Sequence, residues 1–215
     1  MDLKNIFKVL SQVSVDSKQA VYVVGGYVRD QVLGRGEGCE IDVVVVGGTE
    51  GVPGGGIAFA RAFDQAMHHA GSLVEFDQFD TARYILDNPL GLARDKFEIE
   101  FAGARSESYH DTSRKPTVRP ATLEEDLSRR DFKINAMARK IGKGGRLGKI
   151  IDPFAGQRDL KDRILCTPLD PDETFHDDPL RLLRAARFAA QLEFGIEPKT
   201  LAAMERNATR LKIIS

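Results

Sequence analysis

A glycine pair and two acids that follow it are the residues of this chain whose types and spacing most suggest chemistry. Val24-Gly25-Gly26-Tyr27-Val28-Arg29-Asp30 is followed ten residues later by Glu40-Ile41-Asp42. Between a strand and a helix, Gly25 and Gly26 let backbone N–H groups approach a phosphate closely. Arg29, one turn into that helix, reaches the same phosphates with a forked set of donors. Glu40 and Asp42 are two apart, so on a strand both side chains point to one face. Two carboxylates side by side repel, and a divalent cation that resolves the repulsion creates a phosphoryl-transfer site. Each feature alone has a plainer reading: Gly-Gly is a tight turn and Glu-x-Asp a solvated strand end. Together they are stronger, because this Glu-x-Asp opens an apolar strand and has no basic neighbour at hand.

Gly25-Gly26-Tyr27-Val28-Arg29-Asp30 resembles the Gly-Gly-x-Val-Arg-Asp signature of the class II tRNA nucleotidyltransferases and bacterial poly(A) polymerases. In that family an Asp-x-Asp pair on the following strand binds two magnesium ions. The resemblance therefore implies Mg2+ as cofactor, with Glu40 and Asp42 as metal ligands. Glu40 stands where the first Asp is expected, whereas Asp42 matches the second. Glu is one methylene longer and shifts the oxygens by about an ångström, which is costly in a positioned site. The family also implies a third catalytic carboxylate on a neighbouring strand. Glu98-Ile99-Glu100 offers two on one face, and Glu100, five residues before Arg105, fits the pattern better. A surface strand with paired polar side chains is the plain alternative.

Two more segments carry the resemblance. Glu125-Asp126-Leu127-Ser128-Arg129-Arg130-Asp131-Phe132-Lys133-Ile134-Asn135-Ala136 is similar to the family's Asp-Leu-x-Arg-Arg-Asp-Phe-Thr-Ile-Asn-Ala stretch, with Lys133 in place of Thr. That stretch implies contacts to the incoming nucleotide: Arg130 to phosphate, Asp131 and Asn135 to ribose hydroxyls. Without the resemblance, Arg-Arg-Asp reads as a surface ion-pair cluster. Asp177-Asp178-Pro179-Leu180-Arg181 resembles the family's Glu-Asp-x-x-Arg motif, in which an Asp and an Arg read the base edge of cytosine or adenine. Asp178 and Arg181 are three apart and share a helix face. The plain reading is a capping acid on an ordinary helix, with Arg184 and Arg187 on its solvated side. Arg105 joins the implied nucleotide-binding set, and the segment after it resembles the family's flexible loop.

The elements that must position these residues read as follows. Leu3, Ile6, Phe7 and Leu10 fall at helical spacing, so a helix spans 2–12. A strand ends at Gly25-Gly26, a helix covers 27–33, and a second strand covers 41–46, apolar on consecutive positions and covered on both faces. A glycine-rich loop over 47–56 precedes a helix over 57–70. Strands are expected at 73–76, 81–86 and 97–102, with a break at 88–91. The polar stretch 105–121 reads as a long loop. From Leu123 the character turns helical: a short helix over 157–161, a strong one over 179–192 with Pro179 at its first position, and a last one over 198–207. Strands and helices first, helices last, is the order of an α+β domain followed by a helical one. The resemblance makes the first, 1–165, a DNA-polymerase-beta-like nucleotidyltransferase head with a mixed, antiparallel-containing sheet flanked by helices. It makes 166–215 the start of an all-helical neck.

Hydrophobic residues at 42% and charged residues at 29% allow an ordinary core. The net charge is -1, whereas a long RNA-gripping surface carries a positive excess, so only local basic patches are expected here. Two cysteines, Cys39 and Cys166, give neither metal spacing nor a disulfide framework, which fits a reduced, cytoplasmic protein. No apolar run reaches the ~18 residues needed to span a membrane. The expected function is template-independent addition of C and/or A, from CTP or ATP, to the 3′ end of tRNA or another RNA, with release of pyrophosphate. The family's RNA-holding body and tail are not expected in this chain. Poly(A) polymerase activity and a non-catalytic nucleotide-binding module are the alternatives, the latter favoured by Glu40. A dinucleotide-binding Rossmann unit is weak, because the remaining glycine spacing is missing.

Overall fold

The computed structural model describes residues 2–35, 38–47, 55–87, 96–110 and 113–213, with the side chains of 107–118 outside that description. Most of the glycine-rich loop expected over 47–56, and all of the break expected at 88–91, lie outside the described residues.

Along the chain come α1 (Leu3–Asp16), β1 (Ala20–Val24), α2 (Gly26–Val32), β2 (Glu40–Val46), α3 (Gly56–Ala66), β3 (Ser72–Phe76), β4 (Thr81–Asp87) and β5 (Lys96–Gly103). A hairpin of β6 (Arg105–His110) and β7 (Ser113–Pro120) follows, then α4 (Leu123–Ser128), β8 (Ala138–Ile141), β9 (Leu147–Ile151) and α5 (Gly156–Asp162). The chain continues through β10 (Ile164–Leu165), α6 (Pro171–Asp177), α7 (Leu180–Leu192), β11 (Gly195–Ile196) and α8 (Pro198–Asn207).

Seven strands form one mixed sheet in the order β3-β4-β5-β2-β1-β8-β9. The β2–β5 pair is parallel and its neighbours are antiparallel. Alternation along the strands gives the sheet two unlike faces. Val23, Val43, Phe101 and Tyr84 point to one face and are buried under α1 and α3. There Phe63 meets Tyr84 edge-on, with ring centroids 5.3 Å apart, and also touches Phe101. Burying each such ring contributes about 2–3 kcal/mol. α1 turns its stripe of Leu3, Ile6, Phe7, Leu10 and Val13 to the same core, and Asp2 caps it by accepting from Asn5 N at 2.8 Å. Val13 carries the stripe beyond the expected end at residue 12.

The other face carries the site. Val24, Val44, Leu127, Ala136 and Ala138 cover only its β1 side in a small cluster. Further out, one row of paired residues runs Val24, Asp42, Glu100, Arg83 across β1, β2, β5 and β4. β2 is therefore covered on both faces at Val44 and opens to the cleft at Asp42.

Several sequence expectations need correction. The helix expected to reach residue 70 stops at Ala66, because His68 and His69 both adopt a φ of 54°. The loop expected over 105–121 is the β6–β7 hairpin. The region after Leu123 is not purely helical, since β8 and β9 extend the sheet past β1. α6 was not anticipated, and Pro179 precedes α7 as its cap instead of opening it. Among the described residues no helix is long and apolar enough to cross a membrane.

Candidate active site

β1 ends in Gly25, which adopts φ 68° and ψ -135°, a conformation that essentially belongs to glycine. Space demands glycine as well. A Cβ there would sit 2.9 Å from Asp42 Oδ2 and 3.2 Å from Arg130 Nη1. The missing side chain thus leaves a carboxylate and a guanidinium facing the same small volume beside the turn. The Gly25 N–H is spent on the Met137 carbonyl at 3.3 Å, which ties the turn to the end of the Arg130 segment.

Asp42 is half-buried on the cleft face. Burial pushes its carboxyl up to about 6, Glu100 and Glu40 push the same way, and Arg130 and Arg184 oppose them. The expectation that Glu-x-Asp lacks a basic neighbour is therefore corrected: two arginines distant in sequence face Asp42. Glu40 opens β2 and is exposed, opposite Glu98 in the parallel register, as Asp42 is opposite Glu100. Glu100 is about half exposed and lies 3.5 Å from Arg83, which also approaches Glu98 at 3.4 Å. Glu40, Asp42 and Glu100 thus share one face of adjacent strands. Among the described residues, however, no group of three or more acids, histidines or cysteines is arranged to hold a metal ion by itself. Glu100 is paired across the strands with Arg83 on β4.

A donor set of this kind still suits Mg2+. That ion is usually held by one or two carboxylates, with substrate phosphates and water completing an octahedron, and seldom by an all-protein cage. Burial is the main reason the Asp42 carboxyl is raised, with a lesser push from Glu100 and Glu40, and a cation bound there would offset both.

The cleft has a volume of about 810 Å3, and eight arginines and six acids line it. Most of those arginines are fixed by protein partners. Arg29 holds both Asp30 oxygens at 2.9 Å and donates to Asn135 Oδ1 at 2.9 Å. Asn135 donates to Asp131 Oδ1 at 3.1 Å, and Arg184 grips Asp131 Oδ2 at 2.7 and 2.6 Å. Arg105 donates to the Phe79 carbonyl at 2.6 Å and Thr81 Oγ1 at 3.1 Å. Arg129 and Arg130 both bond Asp126, which is wholly buried. Burial would raise the Asp126 carboxyl, yet those two guanidiniums hold it below the usual carboxylate range. The Arg130 Nε is buried with no hydrogen-bond partner among the described residues.

The pair expected to read the base is placed less simply. Asp178 and Arg181 both line the cleft, but Asp178 sits in the break between α6 and α7 and accepts from Leu180 N at 3.1 Å. Arg181 is buried and donates to the carbonyls of Thr174 and Arg129 at 3.3 and 2.7 Å.

Every sequence-predicted site residue therefore lines one cleft: Gly25, Gly26, Arg29, Glu40, Asp42, Glu100, Arg105, Arg130, Asp131, Asn135, Asp178 and Arg181. Sequence reasoning missed Arg184, Arg187 and Phe188 as cleft residues, mentioning both arginines only in the plain alternative, on the solvated side of their helix. The signal was present, because Arg181, Arg184 and Phe188 repeat at the helical spacing of a single face. It also gave no role to Asp126.

The pattern of the poly A polymerase head domain matches residues 21–166. The A-adding tRNA nucleotidyltransferase of Aquifex aeolicus is 41% identical over 179 residues, covering 83% of this chain and 19% of that protein. A solved CCA-adding enzyme in apo form II superposes with a TM-score of 0.77 at 35% identity, over 98% of this chain and 45% of that one. A tRNA nucleotidyltransferase complexed with a primer tRNA and an incoming ATP analog gives a TM-score of 0.67 at 33% identity, over 94% and 50%. The chain thus spans about a fifth of that curated relative and no more than half of these solved chains. With the head pattern running from the strand before the glycine turn to the end of β10, and the same α+β architecture in the solved neighbours, the chain belongs to the poly A polymerase head domain family.

Proposed function

We propose that the chain transfers a nucleotide from ATP or CTP to the 3′ hydroxyl of a tRNA or similar RNA, without a template, releasing pyrophosphate. The observation that carries this reading is the space left by the absent Gly25 side chain, faced by Asp42 Oδ2 and Arg130 Nη1. It offers a metal-binding oxygen and a phosphate-binding guanidinium together beside a glycine turn. Asp42, with Glu40 and Glu100, would hold Mg2+, which when bound supplies charge neutralisation for the triphosphate and a lowered pKa for the attacking hydroxyl. The chain's own residues do the rest. Gly25 and Gly26 admit the phosphates, and Arg29 and Arg130 orient them. Asp131 and Asn135 shape the ribose side, and Arg105 closes the β4–β5 side. Asp178 and Arg181 present an acceptor and a donor to the base edge. We take residues 1–165 as the head and 166–215 as the helical neck. We place the reaction in the cytoplasm, in keeping with two cysteines that form no disulfide.

Incubating the chain with Mg2+, labelled ATP or CTP, and a tRNA lacking its 3′ end tests this reading, with Asp42→Asn as the negative control. Addition to a generic oligonucleotide as fast as to tRNA would favour a poly(A) polymerase instead. A second reading, a nucleotide-binding module without catalysis, is favoured by Glu40 and by the pairing of Glu100 with Arg83. Glu40→Asp separates the two: a large gain in incorporation shows an impaired transferase, and silence in both forms supports the binder.

A further inference from the structure

Five of the chain's 31 lysines and arginines, and none of its 32 acids, fall between Ala138 and Ile151. β8, β9 and the turn between them are therefore a basic island in a chain of net charge -1. Arg139 is spent on the structure: it donates to the Gly148 and Leu147 carbonyls at 2.8 and 3.3 Å and to Gln31 Oε1 at 2.8 Å. Lys140, Lys143, Arg146 and Lys149 are exposed and form no ion pair among the described residues. The turn rests on α1. Gly145 has φ 77°, and a Cβ there would sit 2.6 Å from Lys8 N. That contact brings the exposed Lys4 and Lys8, one helical turn apart, to the same edge. The acids that flank these segments are engaged with backbone donors: Asp2 accepts from Asn5 N at 2.8 Å, and Asp152 from Gly156 N and Gln157 N at 2.7 and 2.9 Å. β9 is an edge strand of the sheet, and one lysine is enough to blunt such an edge against stray pairing. Six exposed cations drawn from α1, β8, the turn and β9 exceed that need. The opposite edge strand, β3, carries no cation of its own.

We propose that the β8–β9 edge docks the phosphate backbone of the RNA substrate, upstream of the 3′ end that reaches Asp42. The choice of RNA as the polyanion rests on the nucleotide-transfer reading above; the docking surface itself does not. One row of paired residues runs from Asp42 through Val24 and Ala138 to Ile151, so three strand spacings, about 14 Å, separate the cleft from the edge. A nucleic-acid strand rises about 3.4 Å per phosphate in a duplex, so about four nucleotides span that distance. Residues 138–151 include no aromatic side chain to stack a base, which suits contact with phosphates and not readout of sequence. Such contacts release counterions, so their contribution falls as salt rises.

Titration of an RNA hairpin bearing a short single-stranded 3′ end, followed by fluorescence anisotropy without nucleotide at about 50 to about 200 mM salt, tests the assignment. Two variants of equal net charge are compared. One carries Lys140→Gln, Lys143→Gln, Arg146→Gln and Lys149→Gln together. The other carries Lys18→Gln, Lys96→Gln, Lys161→Gln and Lys212→Gln, which neutralise exposed lysines scattered elsewhere. All eight side chains are exposed, so both variants should melt at the wild-type temperature. At the lower salt the edge variant should bind about tenfold more weakly than wild type, and the slope of log affinity against log salt should shrink by about two to four. The scattered variant should stay close to wild type in both. In nucleotide addition the edge variant should raise KM for RNA and leave kcat unchanged. Equal losses in the two variants would show that net charge alone acts and would overturn the docking surface. An edge variant with the wild-type slope, or a wild type that fails to bind the hairpin at the lower salt, overturns it as well. Phosphatidylserine vesicles that need the four cations when the hairpin does not would make the edge a membrane contact and sink the RNA assignment. A chain that binds the hairpin through this edge yet adds no nucleotide loses the transferase reading and keeps the docking surface.

Discussion

Replacing Gly25 with alanine probes backbone and site at once. Gly25 has φ 68° and ψ -135°, a region where a Cβ costs about 1–3 kcal/mol. Alanine also restricts the unfolded chain, which returns about 0.4–1 kcal/mol. The new methyl would start 2.9 Å from Asp42 Oδ2 and 3.2 Å from Arg130 Nη1, so both groups must give by several tenths of an ångström. Both are ends of side chains and can move, so the clash acts on the site more than on the fold. The net expectation is a loss of about 1–2 kcal/mol in urea unfolding, with a far larger effect on function: Mg2+-dependent ATP affinity falling at least tenfold. Denaturant titration and calorimetry on the same variant read the two effects separately. A Gly25→Ala variant as stable as wild type and equally able to bind ATP would refute both the strain and the role of the emptied volume.

Other outcomes follow from the same geometry. Asp126→Ala strips a wholly buried carboxylate from Arg129 and Arg130 and should cost about 3 kcal/mol, read by urea unfolding. Because the Asp126 carboxyl is held low in the folded state, its contribution is present above the unfolded pKa and fades as the pH drops toward the folded one. The wild-type advantage over Asp126→Asn should therefore shrink in acid. The Asp80 carboxylate accepts from Gly56 N and Ile57 N at 2.9 and 3.1 Å, so Asp80→Ala should lose about 1–2 kcal/mol and fray α3, seen by amide exchange. Asp42 runs opposite to Asp126. Its folded pKa of about 6 exceeds the unfolded 3.8, so the native state holds the extra proton between those values and loses that stabilisation as pH rises through 6. Asp42→Asn should thus gain stability relative to wild type from pH 4 to 7, while Mg2+ affinity of the wild type climbs across the same range.

Local spacing made part of the site legible and could not reach the rest. The glycine turn and the acids on β2 lie within one or two elements, whereas Glu100 was singled out over Glu98 by the family pattern alone. Alternation on the strands fixes which side chains share a face, and the β2–β5 register then sets Asp42 beside Glu100. The counter-ions were not legible, because Arg130 and Arg184 come near Asp42 only after α4 and α7 pack against the sheet. The β6–β7 hairpin was hidden by its polar, proline-bearing sequence, which lacks the alternation that marks a half-buried strand. α6 was hidden by its shortness, since seven residues show too little of a helical period to stand out from a turn-rich stretch.

The near-neutral charge of the chain and the eight arginines of the cleft are one fact seen at two scales. Nearly every cleft arginine that approaches the glycine turn brings its own acid: Asp30 for Arg29, Asp131 for Arg184, Asp126 for Arg129 and Arg130. Such pairing lets cations crowd together without the mutual repulsion that would otherwise splay α2, α4 and α7 apart. It also presets the donors, because guanidiniums already fixed by Asp30, Asp131 and Asp126 lose less freedom when a phosphate arrives. The cost is affinity, since an anion entering this cleft meets positive groups already half-satisfied by carboxylates. Among the described residues, Arg35 and Arg187 are the exposed arginines of the cleft that form no ion pair.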